Sequence, residues 1–225
     1  MGVMSTIAPD QFVEILRTVS SRIDEAREML GELDGAIGDA DHGRTMSEGF
    51  AAVVRDTQEA ASKGSGAGEL LSIAARSFLN AVGATAGPLY ASAFEEAGRR
   101  MAGRRALRDG DLIGILAGMT EGIARRGRAV PGDKTMMDAL EPAMRAAVAA
   151  GDEGASPLAA LHAASLAAAH GRETTRAMVA AKGRAARLGA RSLGYVDPGA
   201  ASAAIVVDAL REGYEALLAR RAGER

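Results

Sequence analysis

Asp34, Asp39 and Asp41 stand close together in the stretch Leu33-Asp34-Gly35-Ala36-Ile37-Gly38-Asp39-Ala40-Asp41-His42-Gly43. If the helix preceding them continued, Asp39 would point away from the other two, but Gly35 and Gly38 argue against continuation. In an extended turn, residues two apart face the same way, so Asp39 and Asp41 converge, and Asp34 on the last helical turn can meet them. Clustered carboxylates repel one another unless a cation lies between them. Hard oxygen ligands suit Mg²⁺, which keeps its remaining positions for water and phosphate oxygens. A calcium EF-hand does not fit: counted from Asp39, the fifth position is Gly43 and the twelfth is Phe50 rather than Glu. One alternative stays open, in which Asp39 and Asp41 cap the helix that begins near Gly43. His42 taken alone reads as a turn histidine.

Three further segments carry potential chemistry. Gly83-Ala84-Thr85-Ala86-Gly87-Pro88 opens a helix with small residues and a proline. Such a start leaves backbone N–H groups free to receive phosphate, although an ordinary tight turn has the same composition. The run from Gly127 to Thr135 approaches a P-loop, but Asp133 intrudes before Lys134 and no strand precedes it. Pro131-Gly132-Asp133 therefore reads as a turn and helix cap. Finally, Arg184, Arg187 and Arg191 could share one helix face, ahead of Asp197-Pro198-Gly199-Ala200. Glycines at 183, 189 and 194 are costly in a plain surface helix and suggest close backbone approach.

Helices must position these groups. Phe12, Ile15, Leu16, Val19, Ile23 and Leu30 follow the spacing of an amphipathic helix ending near Asp34. Further helices are expected at about 45–61, from 69 onward, and at 88–103, 110–126, 133–150, 156–171, 174–188 and 199–221, with no convincing period-two strand. Eight or nine helices joined by short loops argue an all-α, antiparallel bundle forming a single domain over 1–225. The composition agrees: 48% of residues are hydrophobic, yet only 3% are aromatic, a core of small side chains and Met suited to close helix packing. The absence of Cys excludes disulfides, Cys-ligated zinc, iron–sulfur clusters and thiol nucleophiles, and is compatible with the cytoplasm. A net charge of −2 gives no electrostatic reason to expect nucleic acid. No apolar run approaches the ~20 residues of a membrane span, and the N-terminus does not read as a signal peptide. Met1-Gly2 with Thr6 matches the myristoylation pattern, which is loose, and one acyl chain anchors poorly.

The four segments together resemble the nucleotide-binding subunit of dihydroxyacetone kinase and the equivalent C-terminal domain of single-chain, ATP-dependent dihydroxyacetone kinases. The matching text is LDGAIGDADHG, GPLYASAF, PGDKTMMDAL and KGRAARLGARSLGYVDPGA, in the family's order, from residue 33 to residue 200. The resemblance implies a barrel-like bundle of eight antiparallel helices with the nucleotide at one end. It implies that Asp34, Asp39 and Asp41 coordinate two Mg²⁺ bridging the phosphates of ADP or ATP, and that His42, Gly43, Arg44 and Thr45 lie at the nucleotide. Thr85 and Ala86 would border the phosphates, Gly127 and Met136 the adenosine side, and Asp197, Pro198 and Gly199 the base or ribose. Arg184 would approach the phosphates as the catalytic cation. Phosphoryl transfer needs positioning and charge neutralisation more than covalent help, which fits these residue types.

The same resemblance implies transfer of phosphate to dihydroxyacetone held on a separate sugar-binding subunit. It also implies a phosphocarrier subunit of the phosphotransferase system, or exchanging ATP, as phosphoryl donor. A homodimer and a cytoplasmic location are expected, with neither nucleic acid nor membrane as partner. Four positions depart from the family: Thr45 replaces Asn, Ala86 replaces Ser, Tyr195 replaces His and Ala201 replaces Thr. Losing a hydrogen bond to a charged group costs ~1.5–3 kcal/mol, so Thr45 and Ala86 bear on nucleotide retention. The alternatives are an ATP-dependent kinase subunit for a related ketose such as erythrulose, or a non-catalytic regulatory binding protein.

Overall fold

The computed structural model describes residues 6–83 and 85–224, so the Met1-Gly2 pattern lies outside the described residues. The described chain is all-α, with nine α-helices: α1 Pro9–Glu25, α2 Arg27–Ile37, α3 His42–Ser62, α4 Ala67–Ala81, α5 Ala86–Arg100, α6 Asp111–Gly127, α7 Met137–Asp152, α8 Pro157–Thr174 and α9 Pro198–Gly223. Two 3-10 segments, Thr175–Ala177 and Ala185–Ser192, lie between α8 and α9. Prolines occupy the first turn of α1, α8 and α9, where the missing N–H costs nothing and φ is already helical. Ser156 caps α8 by accepting from the Ala159 N–H at 3.2 Å, and Asp197 caps α9 by accepting from the Ala200 N–H at 2.8 Å.

The sequence expectations differ from the structure in four places. The first helix is two helices, bent at Ala26 (φ −88°, ψ 2°), and the second continues through Gly35 to Ile37 before Gly38 ends it. No glycine or proline marks the bend, so apolar spacing could not find it. The helix expected at 133–150 starts at Met137, because Asp138 pulls the preceding turn into its own hydrogen bonds, accepting from the Gly132 N–H at 2.5 Å and the Thr135 N–H at 2.7 Å. The helix expected at 174–188 is absent: Thr175 and Tyr195 give their carbonyls to Lys134, and Gly183, Gly189 and Gly194 all take positive φ. Arg184, Arg187 and Arg191 therefore share no helix face. Finally, a two-residue antiparallel pair, β1 Thr6–Ile7 with β2 Leu107–Arg108, is too short to show a period in sequence.

Packing links α1 to α3, α3 to α4, α4 to α5, α5 to α6, α6 to α7, α7 to α8, α8 to α9 and α9 back to α1, while α2 lies against α3. One continuous apolar cluster runs through these helices, with Ala supplying many of its members. Four of its rings meet at one place: Phe50 makes edge contacts with Phe78, Tyr90 and Phe94 at 5.4, 5.6 and 6.2 Å, and Tyr90 stacks on Phe78 at 4.9 Å. No described helix is long and apolar enough to cross a membrane.

Candidate functional site

The acidic loop joins α2 to α3. Asp34, buried on the last turn of α2, accepts hydrogen bonds from the backbone N–H groups of Asp41 (3.0 Å) and His42 (3.2 Å) with Oδ2. Asp34 thus serves the exposed donors at the start of α3, a role that neither Asp39 nor Asp41 takes. The capping alternative moves to a different aspartate and leaves the other two carboxylates aimed elsewhere. Ala40, between them, holds φ at 62°, a conformation that costs an L-residue ~1–2 kcal/mol. With the loop so folded, one oxygen from each of Asp34, Asp39 and Asp41 lies within 4.8 Å of the others. Arg184 forms an ion pair with Asp39 and lies 3.8 Å from Asp41, supplying the positive charge that this cluster requires. Three hard oxygens converging from the end of α2 and the loop after it are a donor set that fits Mg²⁺.

Two glycines make this geometry possible. A Cβ on Gly38 would come within 2.1 Å of Asp34 Oδ1 and displace the carboxylate. A Cβ on Gly43 would come within 1.9 Å of the Arg27 carbonyl oxygen, because the first turn of α3 crosses the backbone of α2 there. Gly43→Ala should gain up to ~1 kcal/mol from helix propensity. The backbone clash outweighs that gain, and a net loss of about 1–3 kcal/mol is expected in urea unfolding. A stability equal to or above that of the parent would show that α2 and α3 separate freely.

His42 ties the start of α3 to the start of α9. Its Nε2 lies 2.9 Å from Ser202 Oγ, which donates to the Gly199 carbonyl at 3.0 Å. Burial lowers the His42 pKa, and Asp34, Asp41 and the Pro198 carbonyl oppose the shift. Beside it a cavity of about 550 Å³ opens between the ends of α2, α3, α5, α6, α7 and α9. Its wall includes Asp34, Asp39, Asp41, His42, Thr45, Thr85, Ala86, Gly127, Met136, Arg184, Asp197, Pro198 and Gly199. Thus four segments separated in sequence meet around one space. Gly43 and Arg44 do not line it: Gly43 faces α2, and Arg44 points outward and pairs with Glu48 at 3.4 Å.

Lys134 is the residue that sequence reasoning passed over. It belongs to the run set aside as an imperfect P-loop, yet it lines the cavity and is only 1% exposed. Its Nζ donates to the carbonyls of Thr175 (2.7 Å) and Tyr195 (2.6 Å). Burial lowers its pKa, and the nearby Asp197 carboxylate opposes that shift. Asp197 itself is pushed up to about 7, chiefly by burial, against the hydrogen bond from Ala200 and the charge of Lys134. Asp133, expected in a cap, instead accepts from the Val130 N–H at 3.0 Å, while Asp138 orders the turn.

The profile of the DAK2 domain matches residues 36–212. The chain belongs to the DAK2 domain family. Among its relatives, the ADP-binding subunit DhaL of PEP-dependent dihydroxyacetone kinase 2 from Listeria innocua is 33% identical over 214 residues, covering 94% of this chain and 99% of that protein. L-erythrulose 1-kinase from Mycolicibacterium smegmatis is 34% identical over 200 residues, covering 89% of this chain but 35% of that protein. Among solved structures, the dihydroxyacetone kinase of C. freundii in complex with AMP-PNP and Mg²⁺ matches with a TM-score of 0.66 and 25% identity, over 93% of this chain and 35% of that one. This DAK2 domain is thus similar to a whole subunit in one case and to about a third of a longer kinase in the others.

Within the DAK2 domain, the four departures fall in different surroundings. Thr45 is buried and lines the cavity, and Thr85 stands on the wall beside Ala86. Ala201 is fully buried inside α9. The Tyr195 side chain is exposed, and only its carbonyl, which any residue would supply, contacts Lys134.

Proposed function

We propose that this chain is the nucleotide-binding subunit of a dihydroxyacetone-type kinase, a single domain in which Asp34, Asp39 and Asp41 hold Mg²⁺, with two ions expected, and the cavity holds ADP or ATP. The observation that carries this reading is the convergence of three carboxylate oxygens at the wall of a 550 Å³ cavity with the Arg184 guanidinium against them. Bound Mg²⁺ would neutralise phosphate oxygens there. Thr45 and Thr85 bring hydroxyl-bearing side chains to the wall on the side of the phosphates, the backbone at Thr85 and Ala86 opens α5, and Gly127 and Met136 line the side proposed for the adenosine. Asp197, Pro198 and Gly199 border the base or ribose. Arg184 moves from the carboxylates toward the transferring phosphoryl group and stabilises charge developing on it.

The packing order that returns from α9 to α1 supports a barrel of eight helices with the nucleotide at one end. The acceptor, dihydroxyacetone, is proposed to arrive on a sugar-binding partner subunit in the cytoplasm, a reading supported by the similarity to a protein named as the ADP-binding subunit of its kinase, with the chain itself a homodimer. The similarity to ADP-binding subunits of kinases named as PEP-dependent and PTS-dependent supports a phosphocarrier of the phosphotransferase system as donor. Erythrulose is the second acceptor considered, on the strength of the 34% identity to an erythrulose kinase and the altered residues Thr45 and Ala86.

Calorimetric and thermal-shift titrations test this reading. ADP with Mg²⁺ should bind and stabilise the chain by about 2.7 kcal/mol at a hundredfold excess over Kd, and EDTA should abolish the effect. Absence of Mg-dependent nucleotide binding would overturn the proposal. Stoichiometric ADP surviving dialysis would favour the phosphocarrier route over exchanging ATP.

A further inference from the structure

The segment 176–194 leaves α8 at Thr175 and returns at Tyr195, carrying Arg184 between its ends. It has no α-helix of its own and stands apart from the main apolar core. Its buried apolar side chains, Ala180 and Ala185, form a separate small cluster with the partly buried Leu188, seated on Ile37 of α2. Few apolar contacts hold it, so its placement depends on polar ties. Within the segment, Ala180 N–H bonds to Ser192 Oγ (2.9 Å), which donates to the Gly189 carbonyl (2.7 Å). At the neck, the Gly194 N–H bonds to the Arg176 carbonyl (2.8 Å) and the Asp197 N–H to Thr175 Oγ1 (3.0 Å).

One side chain from outside the segment joins both strands of that neck. The Lys134 ammonium donates to Thr175 on the outgoing strand and Tyr195 on the returning one, at 2.7 and 2.6 Å. It does so from a backbone held at φ 59°, which an L-residue keeps only where its surroundings fix it. Those surroundings are on hand: Asp138 holds the N–H groups of Gly132 and Thr135, and the Asp133 carbonyl accepts from the Ala181 N–H at 3.0 Å. A buried ammonium bound to two carbonyls makes charge-assisted hydrogen bonds, roughly twice as strong as neutral ones.

We propose that Lys134 is a positioning residue: its ammonium staples the neck of the 176–194 segment and so holds Arg184 over the acidic cluster. The staple concerns this chain's own residues, and its link to nucleotide retention rests on the function proposed above. A methionine at this position keeps the volume and removes both hydrogen bonds, so the segment loosens while the helices remain. Arg184 then samples positions away from Asp39 and Asp41, and the nucleotide loses a contact that the neck had made continuous.

Lys134→Met, Arg184→Ala and the double variant test this. Trypsin should cut at Lys182, Arg184, Arg187 and Arg191 at least tenfold faster in Lys134→Met than in the parent, with helix content unchanged by circular dichroism. Release of a fluorescent ADP analogue with Mg²⁺ should be 10- to 100-fold faster in Lys134→Met. In the Arg184→Ala background the same change should add less than twofold, because the residue through which Lys134 acts is gone. In the parent, the Gly194 and Asp197 amides should exchange hydrogen far more slowly than those of Gly183 and Arg187, a measurement that stands even where the variant does not fold. Parental cleavage rates in a folded Lys134→Met, full additivity with Arg184→Ala, or neck amides exchanging as fast as the loop would each overturn the staple. A parent that binds no Mg-nucleotide would instead overturn the proposed function, and proteolysis and exchange would still decide the staple.

Discussion

Asp39→Ala should lower Mg-dependent phosphoryl transfer about 10³-fold while changing stability by less than ~1 kcal/mol. The two halves of this expectation have different origins. Asp39 contributes one of three converging oxygens, and a ligand for a metal that neutralises phosphate charge is worth several kcal/mol in the transition state. At ~1.36 kcal/mol per decade, that is about three orders of magnitude in rate. The stability of the unliganded chain hardly depends on it. The Asp39–Arg184 pair is half-exposed, with side chains 48% and 47% accessible, and pairs of this kind contribute ~0–1 kcal/mol. Removing Asp39 also relieves repulsion with Asp41. The outcome to measure is therefore a split. Urea unfolding should be nearly unchanged, the thermal stabilisation expected from ADP with Mg²⁺ should vanish, and turnover with the proposed sugar-binding partner should collapse. Full turnover in this variant would remove Asp39 from the metal site. A large loss of stability would mean that the loop is held by the pair itself, whereas Asp34, through its bonds to the Asp41 and His42 N–H groups, is the residue expected to hold it.

Which parts of this site were legible in the sequence follows from how each is built. The acidic cluster was legible because its residues are near neighbours and its glycines are demanded by short-range contacts, such as that between Gly38 and the Asp34 carboxylate. The helices were legible wherever an apolar stripe faces the core, as along α1 from Phe12 to Ile23. The segment 174–188 misled because most of its residues favour a helix locally, while the positive φ of Gly183 and the tie of the Thr175 carbonyl to Lys134, which is distant in sequence, are set by the folded chain. Lys134 was missed for the same reason. A lysine after Gly-Asp reads as an exposed turn residue, and only the folded chain brings the carbonyls of Thr175 and Tyr195 to it. The cap also changed hands between aspartates: Asp34 precedes α3 by a whole loop, so spacing rules that look one to three residues upstream could not assign it.

Asp197→Asn should stabilise the unliganded chain, and by an amount that grows with pH. Burial pushes the Asp197 carboxyl up to about 7 in the folded chain, against an ordinary value near 3.8 when unfolded. Between those values the folded state binds more protons than the unfolded state. The contribution from the neutral acid is therefore fully present below pH ~4, is lost progressively as pH rises, and is gone above pH ~7. Asn does not titrate, and its side-chain oxygen can still accept from the Ala200 N–H, so the cap of α9 survives. The difference between Asp197→Asn and the parent should then climb through pH 5 and 6 and level off above 7. Its ceiling is on the order of 4 kcal/mol, set by ~1.36 kcal/mol per unit of displacement. Lys134 works against this gain, since Asn removes the carboxylate that opposes the lowering of its pKa, and the plateau should fall below that ceiling. Urea unfolding at four pH values between 5 and 8 reads the slope directly, and a difference independent of pH would show that Asp197 is ionised throughout. A slope of the expected sign would mean that the chain keeps, at the rim of its cavity, an acid that weakens its own fold at neutral pH. Such a residue is retained where a ligand, rather than the fold, makes use of it. Nucleotide affinity measured alongside should therefore fall in Asp197→Asn even as stability rises.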